Sequence, residues 1–176
     1  MRTLVILASV WGFGSAACSA PLPPPIAPAD QGRLQCYTPD VARKTCQSLS
    51  AYRSGGDGVI QNTAVVLIAP SPPILMETVT PVEIRAGQVC GAIRPKDIDD
   101  AKFTVSGQPA DPAQATRLRE AIRNAMKDMF DHQICTAYVP DGDALLAKAI
   151  VDGVPRPALD QKTVWVAPDE GYKVSP

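Results

Sequence analysis

Four cysteines, Cys36, Cys46, Cys90 and Cys135, constrain this chain more than any other set of residues. None belongs to a C-x-x-C pair, and His132 is the only histidine, so their spacing does not suit zinc. An even set in an exported chain reads as two disulfides. Three pairings are open, as are four free thiols. The favoured scheme is a local clip, Cys36–Cys46, and a long-range staple, Cys90–Cys135. By loop-closure entropy alone the first is worth about 2.7 kcal/mol and the second about 4 kcal/mol.

The N-terminus supplies the exported context. Met1-Arg2-Thr3 carries one positive charge, and Leu4 to Gly14 is apolar or nearly so. That run falls well short of the roughly 20 residues a membrane span requires, so it reads as a secretory signal peptide, residues 1–17, ending in Ser15-Ala16-Ala17. Cys18 follows directly. Small residues ahead of a cysteine fit a permissive lipoprotein signal, although Ser15 stands where leucine is usual. Cys18 is therefore the lipidation candidate. Ordinary cleavage near Ala17 or Ser19 is the alternative and leaves a soluble periplasmic protein. Residues 18–32, with Pro21-Leu22-Pro23-Pro24-Pro25, read as a Pro-rich lead-in or tether in polyproline II. A bacterial lipid anchor carries several acyl chains, enough for stable attachment.

Residues 33–176 then form one domain of ordinary size, with enough chain for a core. Arg2 leaves with the signal, so the mature chain carries 16 basic against 18 acidic residues. That balance excludes a nucleic-acid partner, which demands a basic face, and a polybasic membrane-surface module. Eighteen prolines, about twice the usual share, favour strands and turns over long helices.

Along the domain, Cys36 to Arg53 reads as a looped entry with a short helical turn near Cys46–Tyr52. Val59 to Ala69 is a β-branched strand after the Gly-rich break at residues 54–58. Ile74 to Arg85 and Gln88 to Ile93 form a hairpin. Asp111, Pro112 and Gln114 have the spacing of a helix start. Leu118, Ile122, Ala125, Met126 and Met129 make one apolar stripe, so the sequence predicts an amphipathic helix over about 112–131, covering a face of a sheet. Ile134 to Val139, Ala144 to Val151 and Thr163 to Val166 read as further strands. The expected fold is α+β: an antiparallel sheet of about five to seven strands packed by one main amphipathic helix, with two disulfides.

Three stretches, CYTPDVARKTCQSLSAYR, VEIRAGQVCGAIRPKDID and ICTAYVPDGDALLAKAIVDG, resemble a group of uncharacterised exported bacterial proteins. The resemblance covers about half of the mature chain. It supports export and cysteine pairing and implies no activity.

No motif carries chemistry outright. His132, between Asp131 and Gln133, is the one weak site candidate. As a general base it needs a nucleophile and an oxyanion hole, and no G-x-S-x-G or H-E-x-x-H is present. Its plainer role is a cation near a helix C-terminus. Asp97, Asp99 and Asp100, and likewise Asp141 and Asp143, lack the spacing of a calcium loop and read as solvated turns. Tyr37, Tyr52, Tyr138, Trp165 and Tyr172 read as core or interface anchors. The expectation is a non-catalytic exported envelope protein with a binding or structural role, partnered by an envelope protein or a small ligand. No catalytic residue, metal or cofactor is assigned, and the membrane enters only through a lipid at Cys18. The alternative is a small secreted hydrolase using His132 with an acidic neighbour.

Overall fold

The computed structural model describes residues 20–55 and 59–176. Residues 1–17, expected as a signal peptide, Cys18 and the centre of the Gly-rich break lie outside the described residues. Thirteen strands and two helices follow in the order β1 (Leu34–Tyr37), β2 (Thr45–Cys46), β3 (Ser48–Ser54), β4 (Ile60–Pro70), β5 (Pro73–Arg85), β6 (Gln88–Ala92), α1 (Pro95–Asp99), β7 (Lys102–Val105), β8 (Gln108–Pro109), α2 (Pro112–Met126), β9 (Gln133–Asp141), β10 (Ala144–Val151), β11 (Val154–Pro155), β12 (Gln161–Val166) and β13 (Lys173–Val174).

Eight of these close on themselves in the order β1-β3-β4-β5-β6-β9-β10-β12 and back to β1, every neighbour antiparallel. Spatial order follows chain order, which makes an up-and-down barrel. Strands β7 and β8 extend the wall from β5, and β11 adds to β10. Strands β2 and β13 pair separately, in parallel, outside it.

The fold is thus mostly β, and the expected α+β sheet packed by a helix is overturned. One reason lies in residues 36–53. They were expected as a loop with a helical turn, and they form β1, β2 and β3 instead. The other is closure. A barrel buries its inner face against itself, so no open sheet face remains for a helix to cover. Helix α2 is present and capped as expected, with Asp111 Oδ1 accepting from the Gln114 N–H at 2.9 Å and Pro112 in the first turn. It ends earlier than residue 131 and packs to one side. Ala115, Leu118, Ile122 and Met126 meet Met76, Ile98 and Phe103 over the β5–β7 extension.

Residues 20–32, part of the expected lead-in or tether, pack against the domain. Leu22 and Ile26 are buried against Tyr52, Ile60, Val82, Ile84, Val89, Tyr138 and Trp165, which come from six barrel strands. They close one mouth of the barrel, each worth about 1.5–3 kcal/mol in buried apolar surface. Asp30 Oδ2 accepts from the Leu22 N–H at 2.8 Å and holds the plug's bend.

The disulfides are Cys36–Cys46 and Cys90–Cys135. Cys90 faces Cys135 directly across β6 and β9, with Cα atoms 4.0 Å apart. Between those strands the chain leaves the barrel for α1, β7, β8 and α2, so this bridge ties together the two ends of that excursion. Cys36–Cys46 sits outside the barrel in a small core with Val166, Leu34, Leu49, Val164 and Tyr172. Two such bonds place the domain in an oxidising compartment outside the cytoplasm. No described helix is long and apolar enough to cross a membrane.

Candidate functional site

Strand alternation decides what the barrel encloses. Side chains at every second position share a face, and registered neighbours carry that face around the wall. Tyr52 lies opposite Asn62, Asn62 opposite Thr80, and Ser50 opposite Ala64, which faces Thr78. Val82 lies opposite Gly91, Val89 opposite Thr136, and Tyr138 opposite Ala147. Gln35 and Tyr37 on β1 continue the set beside Trp165 and Thr163. The interior is therefore small and polar over much of its height. Thr78, Thr80, Asn62 and Thr136 point inward yet stay half-accessible, so side chains do not fill the barrel. A cavity of about 260 Å³ remains, running from Tyr37, Tyr52 and Tyr138 past Asn62, Thr78, Thr80 and Thr136 to Ala92 and Ile93.

The last two residues mark a seam. Strand β5 pairs with β6 only from Val82 to Arg85 and with β7 only from Ile74 to Glu77. Between them, Thr78 to Pro81 keeps β4 alone as its ladder partner among the described residues. Pro81 has no N–H to offer a ladder, which suits an interruption at this point. Gly91 closes the wall just below. A Cβ there would stand 3.2 Å from the Pro81 carbonyl oxygen and 3.2 Å from Val82 Cγ1.

At the other end of the cavity three tyrosines converge on one amide. Gln35 is fully buried, and its Oε1 accepts from Tyr52 at 2.8 Å, Tyr37 at 3.1 Å and Tyr138 at 3.2 Å. The Tyr37 and Tyr138 hydroxyls are 2.6 Å apart. A carbonyl oxygen has two lone pairs, so it cannot take all three protons, and the short Tyr37–Tyr138 contact carries the third. Gln35 Nε2 is buried without a partner among the described residues. Burial, together with the neighbouring phenols, pushes the Tyr37 and Tyr52 hydroxyls well above the usual tyrosine range. Both are neutral at physiological pH. Among the described residues no Asp, Glu, Lys, Arg or His lines the cavity.

A larger groove, about 730 Å³, runs along β5 and β6 from Pro23 to Arg94 and Asp131. It takes residues from both faces of the wall, the inward Val82 and Ile84 and the outward Glu83 and Cys90. Its strongest charges are already taken: Glu83 pairs with Arg85 at 2.6 Å and Arg94 with Asp97 at 2.5 Å. The barrel cavity differs in being lined by the inward side chains of the barrel and by the tyrosine cluster.

The residues singled out in the sequence fall mostly elsewhere. His132 has an acidic neighbour, Asp152, but the pair is exposed and His132 lines neither cavity. The His132 contact is the main reason the Asp152 carboxyl titrates below the usual range. Asp97, Asp99 and Asp100 each hold a separate cation, Arg94, Arg123 and Lys96. Asp97 is buried, not solvated. Asp141 and Asp143 are exposed at the β9–β10 turn. Among the described residues no group of three acids, histidines or cysteines could hold a metal. Met126 and Phe130 join the core beside α2, and Tyr172 the core beside Cys36.

Gln35 and the inward threonines went unnoticed in the sequence. The pattern was present in Ser48, Ser50, Tyr52 and in Thr78, Thr80, Val82, where alternate positions are polar. It was obscured because the polar face of a strand is ordinarily the solvent face. Comparison with protein-family models, with curated proteins and with solved structures returns no match for this chain.

Proposed function

We propose that the protein is a non-catalytic binding protein of the cell envelope whose barrel receives a small molecule. One observation carries the reading: the 260 Å³ cavity inside the eight-stranded barrel, lined from six of its strands by hydroxyl and amide groups set among apolar side chains. Eight strands make a barrel wide enough for one small ligand, and concave sites with a few convergent polar groups are where small molecules bind. The hydrolase alternative draws less support. His132 and Asp152 are exposed at a strand end, away from the cavity.

The test uses protein purified without denaturation from its own host. Small molecules released on unfolding are compared between the wild type and two variants that fill the cavity, Ala64→Phe and Thr136→Leu. A compound present in stoichiometric amount in the wild type and lost from folded variants supports the reading. Identical profiles refute it.

Location in the envelope is part of the same proposal. Secretion through the N-terminal signal, with the periplasm as destination and Cys18 as anchor, agrees with the two disulfides. Intact mass decides the anchor. A mature chain beginning at acylated Cys18 supports it, and an unmodified chain beginning at Ser19 or Ala20 rules it out.

A further inference from the structure

We propose that the cavity takes an uncharged, polyhydroxylated molecule of about monosaccharide size, docked against the Tyr37–Tyr52–Tyr138 cluster. This rests on the reading of the barrel as a binding site and names the chemistry that the site selects.

Size sets the first limit. At about 30 Å³ per water, 260 Å³ is room for about nine waters, the scale of one small ring. Charge sets the second. Among the described residues no acid or base lines the cavity, and both Tyr37 and Tyr52 resist ionisation. A buried anion or cation would lose its hydration and meet no counter-charge. Aromatic rings can hold a cation over their faces, but these tyrosines meet oxygen to oxygen, at 2.6 Å and 3.5 Å from Tyr138.

Polarity sets the third limit. Asn62, Thr78, Thr80 and Thr136 stand on three strands of the walls, interspersed with apolar side chains such as Val82, Val89 and Ile134. An apolar guest would leave the threonine hydroxyls unpaired at about 1–3 kcal/mol for each one buried. The hydrogen-bond ledger of the cluster then favours hydroxyls. The three tyrosine protons are used within the cluster, two on Gln35 Oε1 and one between Tyr37 and Tyr138. Tyr52 also accepts from the Asn62 side chain, and Tyr37 and Tyr138 keep lone pairs, which need donors. Gln35 itself is fully buried behind the tyrosines and does not line the cavity, so a guest meets the phenols and the threonine hydroxyls. A guest hydroxyl donates to those lone pairs and accepts from the threonine hydroxyls, and several hydroxyls on one small frame do both at once.

The experiment is amide-resolved NMR of the mature chain, titrated separately with myo-inositol, cyclohexanecarboxylate, tetramethylammonium and xenon. Myo-inositol is expected to shift resonances of Thr78, Thr80, Thr136 and Tyr138. Thr80→Val and Thr136→Val, near-isosteric variants checked for an otherwise native spectrum, are expected to weaken that binding about tenfold each. Preferential shifts from the anion, the cation or xenon overturn the ligand class and leave the barrel as a binding site. Silence from all four probes at these residues overturns the ligand class and the binding reading together. Unchanged myo-inositol affinity in both folded valine variants likewise overturns the assignment.

Discussion

Tyr37 and Tyr138 lie 101 residues apart in the chain, and their hydroxyl oxygens meet at 2.6 Å inside the barrel. The contact joins β1 to β9, strands that are not neighbours in the wall, so it spans the lumen. With Gln35 and Tyr52 it forms a polar cross-brace where most small barrels carry apolar side chains. The brace gives the interior both an ordered end and a set of unused hydrogen-bonding groups.

Gln35 is the common acceptor, and removing it leaves phenols buried with too few partners. Gln35→Leu keeps the volume and removes the carbonyl. We expect it to lower unfolding free energy by about 2–3 kcal/mol, against about 1 kcal/mol for Tyr52→Phe, which removes one donor and leaves the acceptor served. Urea unfolding at neutral pH measures both. Equal losses in the two variants would show that Gln35 is not the hub.

The same cluster predicts a loss of stability in alkali. Burial raises the Tyr37 and Tyr52 hydroxyls above their unfolded values. In the folded chain they keep their protons at a pH where the unfolded chain releases them. The unfolded state then binds fewer protons, so stability falls as pH rises. The contribution is intact below pH of about 10 and is lost above it. The slope approaches two protons. Tyrosinate absorbance during an alkaline titration is expected to show two tyrosines ionising only as the fold opens, and Tyr37→Phe to reduce that number by one. Smooth ionisation of every tyrosine before unfolding would contradict this.

How much of this was legible in the sequence depends on range. Local chemistry was: the β5–β6 hairpin, the Asp111–Pro112 helix start and the strand character of residues 59–69 each arise within a few neighbours. Closure was not. It requires β1 to pair with β12, whose registered residues Leu34 and Val166 have no local relation. The cluster failed to register for the same reason. Gln35, Tyr37, Tyr52 and Tyr138 are ordinary strand residues until the barrel turns their face inward, and only then do alternating polar positions mark a lumen. Residues 20–32 misled in the opposite way. Their prolines indicate an extended chain, and only Leu22 and Ile26 tie it to the barrel mouth.

Gly91 offers a test of the wall at the seam. Its φ is not the issue; space is. A methyl group at this position would stand 3.2 Å from the Pro81 carbonyl oxygen, part of the backbone, and equally close to Val82 Cγ1, on a β-branched side chain. Neither yields easily. Gly91→Ala is expected to cost about 1–2 kcal/mol, and Gly91→Val more, because overpacking grows with each added carbon. Gly91 also lines the cavity, so Gly91→Val should weaken any guest. Thermal unfolding of the two variants checks the order, and a stabilised Gly91→Ala would mean that the strands can part without cost.

The two disulfides should differ in what their loss does. Cys36–Cys46 closes a separation of 10 residues and Cys90–Cys135 one of 45. Loop-closure entropy makes the second worth about 1.3 kcal/mol more. Location widens the gap. Cys90–Cys135 holds β6 against β9 where the chain leaves the barrel for α1, β7, β8 and α2, and without it the wall there relies on four registered residue pairs, from Val89–Thr136 to Ala92–Gln133. Cys36–Cys46 sits outside the barrel, against β12 and the β2–β13 pair. We therefore expect the double serine variant at Cys90 and Cys135 to lose more stability, and to lose protection from hydrogen exchange first in β6 and β9. The variant at Cys36 and Cys46 should lose it around β2 and β13 and leave the tyrosine cluster protected. Hydrogen exchange with mass readout separates the two. Early loss of the cluster in the Cys36 and Cys46 variant would mean that the outer clip, not the staple, holds the lumen in shape.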